Sequence, residues 1–311
     1  MEPTYPSYTP TCHHDQYPAI DPSQPSLDCS NKIVLITGGG RGIGKAIATA
    51  FAEAHAKGIA LVGRAESTLR ETSQAIKQIS PRTDVFITTA DIQDKTQTQA
   101  AIEATLAHFS VVPDVLVMNA GVLRGVGSLI DVNIDDFWSA FEINTKGPLI
   151  VAQAFLRANR QHSPDAKRTI INVSSGSAHI PYAPGGCAYG TSKLASAKIV
   201  EYLHHENPEW NVFNMQPGVV ATDLAKQASR AGEDSPRLPA GFAVWLAASP
   251  DAKWLNGKFL WANWDINELL EKKEEIHKRD LLTFILKDWT DLSAKALIER
   301  ARSVHGNAKK E

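Results

Sequence analysis

The chain has 311 residues, of which 43% are hydrophobic and 21% charged, and a formal net charge of −2. That length accommodates one large α/β domain or two small ones, with enough apolar content for a buried core. The near-neutral charge gives no global attraction to nucleic acid or to an anionic membrane, and no apolar run reaches the roughly 18 residues that span a bilayer.

Residues 1–30 are rich in Pro, Ser, Thr and Tyr and read as a flexible N-terminal tail, free or draped over the surface. They carry neither the basic and apolar regions of a secretory signal nor the arginines of a mitochondrial presequence, so a cytoplasmic location is expected. Cys12, Cys29 and Cys187 have no CxxC spacing, which favours a reducing compartment over a disulfide framework. Cys12-His13-His14 is a metal-ligating type of cluster, but no second cluster stands at zinc-finger spacing, and no metal is expected.

From Lys32 the pattern changes. Ile33-Val34-Leu35-Ile36 is a short continuous apolar run, as expected of a strand buried on both faces. A glycine-rich stretch, Thr37-Gly38-Gly39-Gly40-Arg41-Gly42-Ile43-Gly44, follows it. Ile43, Ile47, Ala50, Phe51 and Ala54 then have the spacing of one helical face. Further strands are expected at Ile59–Val62, Val85–Ile87, Val115–Met118, Ile170–Val173, Val212–Met215 and Gly257–Leu260. Helices are expected over residues 66–79, 95–109, 135–160, 188–206 and 238–248. Seven strands alternating with helices predict an α/β fold, a Rossmann-type doubly wound parallel sheet with helices on both faces, spanning residues 31–264. Residues 265–280 are heavily charged, and Leu281, Leu282, Phe284, Ile285, Leu286 and Trp289 follow. The pattern reads as a helical extension over 265–311, packing on its own domain or on a second subunit.

A glycine-rich turn between a buried strand and a helix lets the backbone approach a pyrophosphate, and the helix N-terminus adds unpaired N–H groups and a favourable dipole. The spacing Gly38-x-x-x-Gly42-x-Gly44 is one residue longer than GxGxxG; in isolation it is equally a tight turn. Tyr189 and Lys193 lie four residues apart, on one face of a helix. A tyrosine can give a proton to a developing alkoxide, but an unperturbed phenol titrates near pH 10, so its ionised form must be favoured by about 4 kcal/mol to cycle near neutrality. A nearby ammonium group supplies part of that. A Tyr-x-x-x-Lys pair by itself is common on ordinary helices.

In this order, with Ser174-Ser175 just ahead of the tyrosine, the motifs resemble the classical short-chain dehydrogenase/reductase family over roughly residues 31–262. The resemblance implies a nicotinamide cofactor on Gly38, Arg41, Gly42, Ile43 and Gly44. It makes Asn119-Ala120-Gly121 the sheet-stabilising motif on the adenosine side and Asp91 an adenine contact; as an ordinary residue Asp91 would be a helix N-cap. It assigns Tyr189 as general acid/base and gives Lys193 the nicotinamide ribose hydroxyls. Asn144 would hold a water beside Lys193, or serve as a hydrogen-bonding residue at a helix kink. Pro217-Gly218 ends the sixth strand, and Val220 and Thr222 would contact the cofactor, Thr222 at its carboxamide.

The cofactor type rests on the tip of the second strand. Val62-Gly63-Arg64 offers no acidic side chain to bind free ribose hydroxyls. Arg64 and Arg41 occupy the two basic positions of phosphate-binding members, so NADP(H) is expected. The serine that polarises the substrate oxygen would be Ser175, which stands 14 residues before Tyr189, one more than the family's usual spacing. A one-residue insertion within residues 180–186 accounts for this, with Ser174 as the competing choice.

The substrate is left open. Residues 219–238, with Lys226, Arg230, Glu233, Asp234 and Arg237 mixed in sign and Ala228-Ser229-Arg230-Ala231-Gly232 at the centre, are expected to form a mobile lid. The last strand ends Trp261-Ala262-Asn263-Trp264-Asp265 where many members have Asp-Gly-Gly, a feature similar to fungal members of the family. That strand often builds a subunit interface, so a homodimer through residues 95–109 and 135–160 is expected ahead of a tetramer. The expected activity is NADP(H)-dependent hydride transfer between the nicotinamide and a small-molecule carbonyl or secondary alcohol. The alternative is a catalytically silent NADP-binding sensor or partner-binding protein.

Overall fold

In the computed structural model, which describes residues 7–222, 224 and 232–286, seven strands pair side by side, all parallel. They are β1 (Ile33–Thr37), β2 (Gly58–Gly63), β3 (Asp84–Thr89), β4 (Val115–Met118), β5 (Thr169–Val173), β6 (Asn211–Gln216) and β7 (Phe259–Trp261), in the order β3-β2-β1-β4-β5-β6-β7. Parallel neighbours need long crossovers, and helices supply them: α1 (Gly42–Glu53), α2 (Glu66–Ile79), α3 (Lys95–Phe109), α4 (Ile134–Phe141), α5 (Gly147–His162), α6 (Cys187–Glu206) and α7 (Arg237–Ala248). Every residue of β1 is buried. Val34 and Ile36 pack in the layer of α1, α2 and α7, and Leu35 packs in the layer of α3, α5 and α6. Two covered faces explain why the strand sequences are continuously apolar. Fully buried Ile47 and Phe51 on α1 each contribute about 1.5–3 kcal/mol relative to exposure.

Most observed bounds lie within one or two residues of the sequence pattern, and two departures have a local cause. The expected helix 135–160 is divided: α4 ends, a π-helical turn spans Glu142–Lys146, and α5 begins at Gly147. Pro148 has no N–H to give the carbonyl of Asn144 four residues back, so a regular α-ladder cannot run through this point. The last strand starts at Phe259 rather than Gly257, because Gly257 takes φ +79° in a turn closed by Lys258 N–H on the Leu255 carbonyl.

Of the two expectations for the N-terminal segment, residues 7–30 follow the draped one and pack on the domain. Ile20, Leu27 and Cys29 are buried, and the Ile20 carbonyl lies so close to Gly241 on α7 that a Cβ there would collide with it. Cys29 N–H donates to the Ala54 carbonyl at the end of α1 (2.7 Å), and Cys12 bridges antiparallel to Trp264 beyond β7. A segment without periodicity is held here because several of its apolar side chains and backbone groups find partners on the domain.

Two short helices, α8 (Ile266–Glu271) and α9 (Lys273–Lys278), follow β7. The chain then returns along the sheet edge, where Phe259 N–H donates to the Leu282 carbonyl (2.8 Å) and Leu281, Leu282 and Phe284 pack on the core of their own domain. Trp289 and the rest of the extension, like the centre of the expected lid including Lys226, Arg230 and Ala228–Ala231, lie outside the described residues. No helix among the described residues is long and apolar enough to cross a membrane.

Candidate active site

The strand order reverses between β1 and β4, and a cleft opens beyond the carboxyl ends of the strands, the usual place for a ligand in such a sheet. A cavity of about 720 Å³ occupies it. The glycine loop forms its floor. Gly38 (φ +67°) and Gly42 (φ +53°) adopt left-handed backbone that side chains rarely tolerate. A Cβ on Gly44 would collide with the Gly38 carbonyl, and one on Gly40 would collide with Thr68 on α2. Thr72 Oγ1 donates to the Gly40 carbonyl at 3.1 Å and ties the loop to α2. The bare backbone around the start of α1 can receive an anionic group such as a phosphate.

Asn119 braces this loop from β4. Its side-chain amide donates to the carbonyls of Thr37 and Gly38, both at 3.1 Å, and its backbone N–H donates to Thr37 Oγ1. Arg41 precedes α1 and Arg64 follows β2; both are exposed and line the same end of the cavity, with Asp91 and Thr68. Asp91 does not cap α3. Asp94 does, accepting from Thr96 N–H and Gln97 N–H. Asp91 Oδ1 instead accepts from Gln93 N–H at 3.0 Å, which keeps its carboxylate at the cavity wall.

At the other end, the first turns of α6 carry Tyr189 and Lys193. Lys193 is buried, and its Nζ donates to the Val173 carbonyl at 2.9 Å and stands 6.0 Å from the centre of the Tyr189 ring. Burial pushes its ammonium down from 10.5 to about 8. Gly121 makes room for this arrangement: a Cβ there would lie 3.2 Å from both Lys193 Nζ and Asn144 Oδ1. Asn144 sits in the π-turn. Its Oδ1 accepts from Val122 N–H, and its Nδ2 donates to the Val122 carbonyl (both 2.9 Å) and to Ser192 Oγ (3.1 Å). Its side chain therefore locks α6 to the loop after β4. Beneath α6, buried Asn172 donates to Asn214 Oδ1 (2.8 Å), and Asn214 donates to the Ala197 carbonyl (3.0 Å), which fixes the helix on β5 and β6.

Ser175 and Ser174 both line the cavity. Ser175 Oγ accepts from Ser177 N–H at 3.2 Å, which leaves its own hydrogen to donate. Ser174 is buried at 3% exposure, and its Oγ has no hydrogen-bond partner among the described residues. Val220 is buried, pairs with Asp234 as an isolated bridge and reaches the cavity, and Thr222 lies over the start of α1, its Cγ2 3.2 Å from where a Gly42 Cβ would be.

Four contributors are not evident from the motifs. Gln216 and Trp261 line the cavity, and Trp261 Nε1–H donates to His179 Nε2 at 2.8 Å. Asp234 is buried; it accepts from His14 Nδ1, Asn263 Nδ2 and Val219 N–H, and so holds the loop that carries Val220 and Thr222. The Asp-Gly-Gly replacement was the one sequence signal for this region. No group of three or more His, Cys, Asp or Glu side chains is placed to hold a metal among the described residues.

A family model described as short chain dehydrogenase matches residues 32–233. The chain is 33% identical over 279 residues to short chain dehydrogenase mpl6 of Monascus purpureus, across 87% of this chain and 93% of that protein. It is 30% identical over 275 residues to short chain dehydrogenase/reductase AacuD of Aspergillus aculeatus, with the same coverage of 87% and 93%. Its fold resembles that of an alcohol dehydrogenase from the archaeon Thermococcus sibiricus, solved in complex with 5-hydroxy-NADP, with a TM-score of 0.65 and 25% identity over 74% of this chain and 95% of that one.

Proposed function

The chain belongs to the short-chain dehydrogenase family, whose members are nicotinamide-dependent oxidoreductases, and from that premise we propose that it transfers a hydride between NADP(H) and a carbonyl or secondary alcohol, with Tyr189 as general acid/base. The observation that carries this reading is the approach of Lys193 Nζ to within 6.0 Å of the Tyr189 ring centre at the cavity that the glycine loop floors.

The glycine loop suits a nicotinamide dinucleotide, because it leaves bare backbone at the cavity beside the start of α1, where unpaired N–H groups and the helix dipole favour a pyrophosphate. Gly38, Arg41, Gly42, Ile43, Gly44, Asp91, Asn119, Val220 and Thr222 would hold it, with Arg64 and Arg41 on the adenosine phosphate. The complex of 5-hydroxy-NADP with the Thermococcus enzyme accords with that choice of cofactor. When bound, the cofactor supplies the hydride.

The protein's own groups manage the proton. In the reductive direction Ser175 donates a hydrogen bond to the substrate oxygen and polarises the carbonyl. Tyr189 gives its phenolic proton to that oxygen, and the product is an alcohol. The Lys193 ammonium stabilises the phenolate left behind. Reprotonation runs through Asn144 by way of its backbone. Its side chain is committed to Val122 and Ser192, and Pro148 cannot supply an α-helical N–H, so its carbonyl is the acceptor for a water beside Lys193. We further propose a homodimer through α3, α4 and α5, because the edge of β7 that a tetramer would use is covered by residues 280–284 of the chain itself.

The test is NADPH oxidation with a panel of ketones and quinones, comparing the wild type with Tyr189→Phe. The wild type turns over at least one of them, and the variant binds NADPH with unchanged affinity but does not turn over. Tight NADPH binding with no turnover on any compound would favour the silent, sensor-like reading.

A further inference from the structure

Six side-chain amides are buried among the described residues: Asn144, Asn159, Asn172, Asn214, Gln216 and Asn263. Five of them are hydrogen-bonded within the fold. Asn144 is tied to Val122 and Ser192, Asn159 accepts from Arg168, Asn172 donates to Asn214, Asn214 donates to the Ala197 carbonyl, and Asn263 donates to Asp234. Gln216 is the exception: it is 6% exposed, and its amide has no hydrogen-bond partner among the described residues. Positions two apart share one face of a strand, so the same face of β6 carries one amide used at both ends, Asn214, and one used at neither.

The Gln216 amide opens on the cavity. Among the described residues, the buried side-chain atoms that are both unpaired and shut from solvent are Thr98 Oγ1, Ser174 Oγ, His204 Nδ1 and Trp254 Nε1. Neither amide atom of Gln216 is one of these, so both keep some access, and the space that this buried residue reaches is the cavity it lines. Its Nε2 lies 3.5 Å from where a Cβ on Gly176 would be, hence within about 5 Å of the Gly176 Cα once one C–C bond is allowed for. Gly176 directly follows Ser175, the serine assigned to the reacting oxygen. Val173 pairs in register with Met215, which sets Ser174 beside Gln216 at the ends of β5 and β6. Two unpaired polar side chains therefore stand on adjacent strand ends at the serine turn.

An amide buried without a partner costs free energy that an apolar side chain of the same length would not. A ligand that meets the amide relieves that cost. A site built to bond a substrate oxygen also rejects analogues that lack it, because the buried group is then stranded. A carboxamide offers two N–H donors and a carbonyl acceptor without a net charge, which suits a neutral oxygen. We propose that Gln216 is a specificity-determining residue whose amide takes a second oxygen function of the substrate, a hydroxyl or a carbonyl, carried a few carbon atoms from the reacting carbonyl. This rests on the hydride-transfer reading above.

The test uses the full-length protein with NADPH and two matched pairs of ketones: 2-hydroxycyclohexanone against 2-methylcyclohexanone, and 4-hydroxycyclohexanone against 4-methylcyclohexanone. Each pair exchanges a hydroxyl for a methyl group of similar size. Gln216→Met and Gln216→Leu remove the amide and keep the bulk. In at least one pair the hydroxyl-to-methyl ratio of kcat/KM is expected to fall at least about fivefold from the wild type to Gln216→Met, the lower end for one buried hydrogen bond. NADPH affinity is expected to be unchanged. Saturation-transfer NMR of the same four ketones on the protein loaded with oxidised NADP reads binding without turnover. Urea unfolding is the third readout: removing an unpaired buried amide leaves the midpoint at or above that of the wild type.

Ketone reduction with the same ratios in Gln216→Met as in the wild type would overturn the subsite and leave hydride transfer standing, with solvent as the amide's partner. Weaker NADPH binding in the variants would assign the amide to the cofactor and overturn the subsite as well. A lower urea midpoint in both variants, or failure of both to fold, would make the amide a structural group and also overturn it. Hydroxylated ketones that bind in preference to methylated ones through Gln216, with no ketone reduced, would uphold the subsite and overturn hydride transfer. No reduction and no binding preference would overturn the proposal outright.

Discussion

His14 Nδ1 lies 2.6 Å from Asp234 Oδ1, so a residue near the start of the chain holds the carboxylate that secures the loop over the cavity. Asp234 also accepts from Asn263 Nδ2 at 3.0 Å and from Val219 N–H at 2.5 Å. Asp234→Ala leaves buried donors unpaired, at a cost of about 1–3 kcal/mol for each group truly shut from water. The expected outcome is a lower unfolding midpoint in urea together with a raised KM for NADPH, because Val220 and Thr222 lose their support. His14→Ala has the same sign and a smaller size, because its imidazole is half exposed. A change in stability with no change in cofactor KM would show that the loop does not depend on this carboxylate.

Lys193 gives a pH signature. Burial lowers its ammonium from 10.5 to about 8. Between those values the unfolded chain binds a proton that the folded protein has released, so stability rises with pH across the window. Below pH 8 both states are protonated and burial of the charge costs about 3 kcal/mol. Lys193→Met has no group to titrate. The unfolding free energy of the wild type relative to this variant should therefore climb by up to about 3 kcal/mol from pH 8 to pH 10.5. Urea unfolding of both proteins across that range measures it, and a flat difference would mean that Lys193 is not desolvated.

Arg64 and Arg41 stand at one end of the cavity. If they select the phosphate, Arg64→Ala weakens NADPH binding by about ten- to a hundredfold, the size of one charge-assisted hydrogen bond, and changes NADH binding little. Fluorescence titration with both cofactors checks this, and equal losses would contradict the phosphate assignment.

Much of the scaffold was legible because the signals were local. The continuous apolar runs marked strands covered on both faces, and the bounds expected for α2 and α3 are those observed. The site motifs were legible for a similar reason: the spacing from Tyr189 to Lys193 is one helical turn, and the glycines stand where the backbone itself must be bare. What was hidden depends on contacts between distant segments. Nothing periodic in residues 7–30 announces that Tyr8 packs on Trp264 or that His14 meets Asp234. The break at Asn144 was read as a helix kink, but the expected helix 135–160 ran through Pro148, whose missing N–H divides it. His179 belongs to none of the motifs, and its partner, Trp261, is 82 positions away.

Hydride transfer assisted by Tyr189 is tested most directly with NADPH deuterated at both C4 positions, with the ketones of the panel as substrates and mass spectrometry of the alcohol. The wild type should give an alcohol carrying one deuterium on the carbinol carbon, and Tyr189→Phe should form almost none while binding the cofactor normally. An alcohol without deuterium, or Tyr189→Phe turning over as fast as the wild type, would contradict the account.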